Sequence, residues 1–195
     1  KYLKLAKSSD KVVAIGETGI DIFRIEDEKH NIKDIVKLQS DVLRQHIKLA
    51  KELNLPLILH CRGSENNPYN AYNEILEILH DIHLHLRGVN GVIHCFGGNL
   101  KQSKEFLKLG FYIGFTGIVT FKNAVELQKI VKDCPLEKIL IETDCQFLEP
   151  VPYRGKRNEP AYVVEVARKI AELKNISVEE VEKNTTLNAR NLFGI

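Results

Sequence analysis

Five short apolar runs, separated by longer stretches of helical periodicity, limit what this chain can fold into. They are Val12-Val-Ala-Ile-Gly16, Leu55-Pro-Leu-Ile-Leu-His60, Gly91-Val-Ile-His-Cys-Phe96, Gly110-Phe-Tyr-Ile-Gly114 and Lys138-Ile-Leu-Ile-Glu142. Each is nearly continuous in hydrophobicity instead of alternating, the pattern of a parallel strand buried on both faces. Between them the periodicity predicts helices over 34–53, 72–86, 100–109 and 124–132, the first with Ile35, Leu38, Val42, Leu49 and Leu53 along one side. Pro160 suits the first turn of a helix reaching Lys174, and Ser177 followed by Glu180 reads as a capping box for another. Asn66-Asn-Pro-Tyr-Asn70 reads as a loop.

Strand–helix–strand repetition implies a parallel sheet with right-handed crossovers, either an open doubly wound sheet or a (β/α)8 barrel. No GxGxxG follows the first run, so nothing favours a dinucleotide fold. What favours the barrel is where the polar residues fall. Glu17, His60, His94 and Asp144 each sit at the C-terminal end of an apolar run. Parallel barrel strands end on one face, where active sites of that fold are built, so four residues scattered along the chain would converge. Two imidazoles and two carboxylates suit Zn²⁺, Mn²⁺ or Mg²⁺.

Composition restricts the partners. The formal charge of +2 is too small for electrostatic coating of duplex DNA, so a nucleic acid would have to be held by contacts at a site. No run of about 18 apolar residues suggests a membrane span. The four cysteines, Cys61, Cys95, Cys134 and Cys145, form no CxxC pair and read as buried free thiols of a reducing, cytoplasmic compartment. The chain holds no Met, so its first residue is not expected to be a native start.

Several blocks resemble, in order, the signatures of TatD-related metal-dependent deoxyribonucleases. They are Gly16-Glu-Thr-Gly-Ile-Asp21, Leu59-His-Cys-Arg62, Ile93-His-Cys-Phe96, Glu142-Thr-Asp144 and Arg154-Gly-Lys-Arg-Asn-Glu-Pro160. The closing Asn188-Ala-Arg-Asn-Leu-Phe-Gly194 is similar to that family's last helix. The resemblance implies an α/β fold of the (β/α)8 TIM type, with residues 1–195 the C-terminal portion of one barrel holding about five βα units. It also implies two divalent ions (Mg, Mn or Zn), with Glu17 bridging them and His60 and His94 completing one shell. Asp144 would bind the other ion and orient or deprotonate water, which makes Asp144 and Glu17 the catalytic pair. DNA is the implied substrate, cleaved at its phosphodiester bonds by a water that the two ions activate.

The family's first motif, an HxH at the first strand, has no counterpart before Glu17. On that ground roughly three βα units, on the order of 70 residues, are expected upstream, and these 195 residues alone are expected to be poorly active. Cys145-Gln146 replaces the family's small residue and proline, and Gly63 stands where an acidic residue is common. Asp81-Ile-His-Leu-His85 imitates HxH but falls after Glu17 at the tail of a helical period, so it reads as a helix end. Arg62, Arg154, Lys156 and Arg157 are candidate phosphate contacts. Asn158 and Glu159 are candidates to pin the loop that carries them. Phe96, Tyr112, Phe115 and Phe121 fit a core better than a base-stacking surface. Two other readings stay open: an amidohydrolase-like enzyme acting on a small amide or ester, and a non-catalytic binding barrel. Oligomeric state is left open.

Overall fold

Each of the five apolar runs overlaps a strand, and each strand pairs in parallel with the next in sequence. The computed structural model describes residues 2–23, 25, 31–63, 70–85 and 88–195, the side chains of 83–85 excepted. Its strands are β1 (Ile15–Asp21), β2 (Leu57–Arg62), β3 (Gly91–His94), β4 (Tyr112–Phe115) and β5 (Ile139–Ile141). They form one sheet in the order β1-β2-β3-β4-β5. A doubly wound sheet reverses its order at a switch point, whereas barrel strands follow one another without reversal. The observed order is that of a barrel.

The helices are α1 (Tyr2–Ala6), α2 (Ile32–Leu53), α3 (Ala71–His85), α4 (Leu100–Lys108), α5 (Val125–Asp133), α6 (Val163–Lys174) and α7 (Val178–Phe193). Their ends are set by local chemistry. Asn31 accepts the Lys33 amide at the start of α2, and Asn54 closes it in the left-handed conformation. Asn99 and Gln102 form a full capping box on α4. At α7 the Ser177 hydroxyl accepts the Glu180 amide, one half of the box read from the sequence. Pro160 opens a 3-10 turn, Pro160–Tyr162, that leads into α6.

Three expectations need correction. First, β1 begins at Ile15 and runs on to Asp21, because Gly19, Ile20 and Asp21 pair with His60, Cys61 and Arg62. Glu17 therefore lies within β1, not beyond it. Second, the buried row of α2 is Val36, Leu43, Ile47 and Ala50, while Leu38 is 66% exposed and Val42 is also exposed. Both rows satisfy a 3.6-residue period, and contact with β1 selects the one that packs. Third, of the four cysteines only Cys61 and Cys134 are buried; Cys95 is half-buried and Cys145 exposed. The loop read at 66–70 lies outside the described residues except for Asn70.

One continuous apolar cluster joins the strands to the helices, with Ile20, Leu57, Leu59, Ile93, Ile113 and Ile139 fully buried. Each such side chain contributes about 1.5–3 kcal/mol relative to exposure. Asn188 of α7 donates to the Leu136 and Ile139 carbonyls and so fastens the last helix to β5. Phe96 and Phe115 are buried in this core, as expected. Among the described residues, no helix is long and apolar enough to cross a membrane.

Candidate metal centre

His60 and His94 are register partners on β2 and β3, so their imidazoles stand side by side at the C-terminal ends of neighbouring strands. Glu17 reaches the same point from β1 by an irregularity. Ile15 pairs with Leu57 and Thr18 with Leu59, so β1 holds one extra residue between those pairings. Such bulges bend a strand and re-aim a side chain. In uniform register Glu17 would stand opposite Leu59, whose side chain is fully buried. With the extra residue, Glu17 Oε1 lies 3.7 Å from His60 Nδ1 and 3.0 Å from His94 Nε2.

Ligand atoms of Glu17, His60 and His94 all lie within 4.8 Å of one another, a spacing compatible with bonds of about 2 Å to one central ion. Asp144, three residues beyond β5, brings Oδ1 to 3.6 Å from His94 Nε2. All four residues line one cleft of about 970 Å³, together with Asp21, Phe23, Arg62, Tyr72 and Phe147. The cleft thus brings together every ligand candidate read from the sequence, and its donor set fits a divalent cation.

The electrostatics favour a cation. Burial alone would push the His94 imidazole down. Hydrogen bonding and charge from Glu142, joined by the charges of Glu17 and Asp144, outweigh burial and hold it up at about 9. His94 in the metal-free protein thus gathers a proton where an ion would carry the positive charge. Burial pushes the neighbouring Cys95 thiol up to about 12, so Cys95 is a neutral neighbour and not a thiolate ligand.

The backbone around the site is held in uncommon conformations. Cys95 and Asp144 take positive φ, 46° and 54°, although neither is glycine. The turn after Asp144 is clamped by Asn158, which is buried and donates from Nδ2 to the Thr143 and Phe147 carbonyls. Asn158 does pin that loop. Among the described residues the Glu159 side chain, which is exposed, makes no such contact.

The basic candidates separate. The Arg62 guanidinium lines the cleft and lies 3.8 Å over the Phe23 ring. Arg154 is engaged away from the cleft, paired with Glu149 at 3.2 Å and stacked on Phe121 at 4.0 Å. Lys156 lies on the exposed turn beside it. Arg157 lines a second depression that shares Phe147 with the main cleft. Tyr112 is half-buried beneath Lys138. His83 and His85 fall in the last turn of α3, as the helix-end reading requires, with their side chains outside the described residues.

Sequence reasoning missed Asp21, Glu142 and Phe147. Asp21 and Glu142 hydrogen-bond the two site imidazoles, and Phe147 is an exposed aromatic at the cleft mouth. A signal for Asp21 existed: it lies four residues from Glu17 on the same strand, and side chains on one face of a strand recur every two residues.

Comparison with known proteins agrees with this geometry. Residues 1–194 match the TatD related DNase family. An uncharacterized metal-dependent hydrolase of Bacillus subtilis, YabD, is 44% identical over 194 residues; the match takes in all of this chain and 70% of that protein. The Escherichia coli K12 relative YcfH, also an uncharacterized metal-dependent hydrolase, is 40% identical across 99% of this chain and 67% of its own length. The crystal structure of the E. coli TatD homologue YJJV superposes with a TM-score of 0.83 at 28% identity, over 98% of this chain and 68% of that one. The chain belongs to the TatD related DNase family of metal-dependent hydrolases.

Proposed function

We propose that the protein is a metal-dependent deoxyribonuclease in which Glu17, His60, His94 and Asp144 hold two divalent ions in the cleft. The observation that carries this reading is the convergence of Glu17 Oε1, His60 Nδ1 and His94 Nε2 in a cleft that Asp144 completes. Two imidazoles and two carboxylates form a mixed donor set that suits Zn²⁺, Mn²⁺ or Mg²⁺. Glu17, whose Oε1 lies within 4 Å of both imidazoles, would serve both ions. His60 and His94 complete one shell and Asp144 serves the other. When bound, the ions supply Lewis-acid charge that relieves the phosphate and makes a water acidic near neutral pH.

The chain's own groups do the rest. Asp144, on a backbone fixed by Asn158, orients the attacking water and accepts its proton. Arg62, the cleft's guanidinium, pairs with the non-bridging phosphate oxygens. Arg157 lines the neighbouring depression, where the next phosphate of a strand would pass. With net charge near neutral, binding rests on these few contacts, so affinity should depend on salt only modestly.

The deciding experiment is cleavage of single-stranded DNA with Mn²⁺ or Mg²⁺, beside an EDTA control and a Glu17→Ala variant. The reading expects nucleotide release that disappears in both controls. Release that survives Glu17→Ala refutes the assigned ligands. Turnover of small amides or esters in place of DNA moves the same centre to the amidohydrolase-like reading.

A further inference from the structure

Beyond the ligand candidates, the cleft contains the same device twice. His60 turns Nδ1 toward Glu17 and presents Nε2 to Asp21 Oδ2 at 3.2 Å. His94 does the reverse: Nε2 faces Glu17 and Asp144, and Nδ1 meets Glu142 Oε2 at 2.5 Å. In each pair the second carboxylate oxygen accepts a backbone N–H. Asp21 Oδ1 takes the Phe23 amide at 2.9 Å, and Glu142 Oε1 takes the Cys95 amide at 2.7 Å. Both residues are themselves held. The Gln39 carboxamide binds the Asp21 amide and carbonyl together, at 3.0 and 2.9 Å. Glu142 Oε1 occupies space on β4 that exists only because residue 114 is glycine, since a Cβ there would lie 2.0 Å from it.

We propose that Asp21 and Glu142 are positioning residues that fix the two imidazoles in opposite tautomers, His60 as Nε2–H and His94 as Nδ1–H. This proposal rests on the ligand set of the proposed function. A neutral imidazole has one N–H and one lone pair, and a carboxylate can only accept. Glu17 is an acceptor as well, but the outer contact is the shorter on each ring, 3.2 against 3.7 Å at His60 and 2.5 against 3.0 Å at His94. The proton therefore goes to the outer nitrogen and the lone pair is left facing Glu17. A hydrogen-bonded outer carboxylate also fixes ring orientation and raises the basicity of the inner nitrogen. Neither Asp21 nor Glu142 is placed to bind an ion in this arrangement. The oxygens of each are divided between an imidazole and a backbone amide.

The amide variants test this sharply. In Glu142→Gln the carbonyl oxygen must stay on the Cys95 N–H, which turns the NH₂ toward His94 Nδ1. That nitrogen must then accept, so the proton moves to Nε2 and blocks the inner lone pair. In Asp21→Asn the Phe23 amide imposes the same reversal on His60. The experiment is ¹⁵N–¹H long-range correlation spectroscopy of the histidines in the metal-free chain, in buffer alkaline enough to leave them neutral. It is paired with Mn²⁺ or Zn²⁺ titration by calorimetry.

The wild type should show His60 as Nε2–H and His94 as Nδ1–H. Glu142→Gln should invert His94 alone and Asp21→Asn should invert His60 alone, each weakening metal binding about 10–100-fold. Circular dichroism checks folding, and a misfolded variant leaves the other one, with the wild-type tautomers, to decide. Unchanged tautomers in a folded variant overturn the proposal, even if affinity falls, because that pattern is merely structural. Tautomers as assigned in a wild type that binds no ion would uphold the positioning role and refute the metal centre.

Discussion

The two histidines make a natural comparison, because neighbouring strands deliver them to the same point by different means. His94 is the more enclosed, its side chain 15% exposed against 28% for His60. It sits among three carboxylates, Glu142, Glu17 and Asp144, and a residue of left-handed backbone follows it. His60 faces Glu17 and Asp21, both carried by the bulged first strand. The His94 half of the site is thus fixed by side-chain packing between β3, β4 and β5. The His60 half is fixed by how closely β1 approaches β2.

Two glycines express that difference and give the largest expected effects. At Gly19, φ is 154° and an added Cβ would lie 1.9 Å from the His60 carbonyl oxygen. That clash is with backbone and cannot be relieved by a rotamer. Gly19→Ala should therefore separate β1 from β2 and cost at least the roughly 1–3 kcal/mol typical of overpacking, read as a fall in thermal midpoint. Gly114→Ala meets a side-chain oxygen, which can swing away. Its stability cost should be smaller, but His94 loses its partner and metal affinity should drop as in Glu142→Gln. If Gly19→Ala proves as stable as wild type, the contrast between backbone and side-chain support fails.

A third effect is a pH dependence carried by His94. The folded imidazole is held at about 9, above its ordinary 6.5, so the folded chain binds this proton more tightly than the unfolded one. The resulting stability is complete below about 6.5 and is lost as pH rises through 9. Denaturant midpoints of the metal-free chain should fall across that window, and the fall should vanish in His94→Gln. An unchanged slope in the variant would assign the dependence elsewhere.

The sequence revealed the ligand candidates because strand ends are visible as breaks in apolar runs. Glu17, His60, His94 and Asp144 all interrupt or follow such runs, and the fold gathers them. It did not reveal Asp21 or Glu142, whose partners lie 39 and 48 residues away and depend on register. Nor could periodicity choose between the two apolar rows of α2, since both repeat every 3.6 residues and only contact with β1 distinguishes them. Phe147 was hidden for another reason. It lies in the irregular turn that Asn158 holds, and irregular backbone has no period from which to predict which way a side chain faces.

The surplus residue in β1 matters to anyone transplanting this centre. Counting by twos from Ile15 assigns Glu17 to the helix-facing layer beside Leu59, so threading onto an idealised barrel would send its carboxylate into hydrocarbon. A designer must copy the stumble in the strand along with the acid.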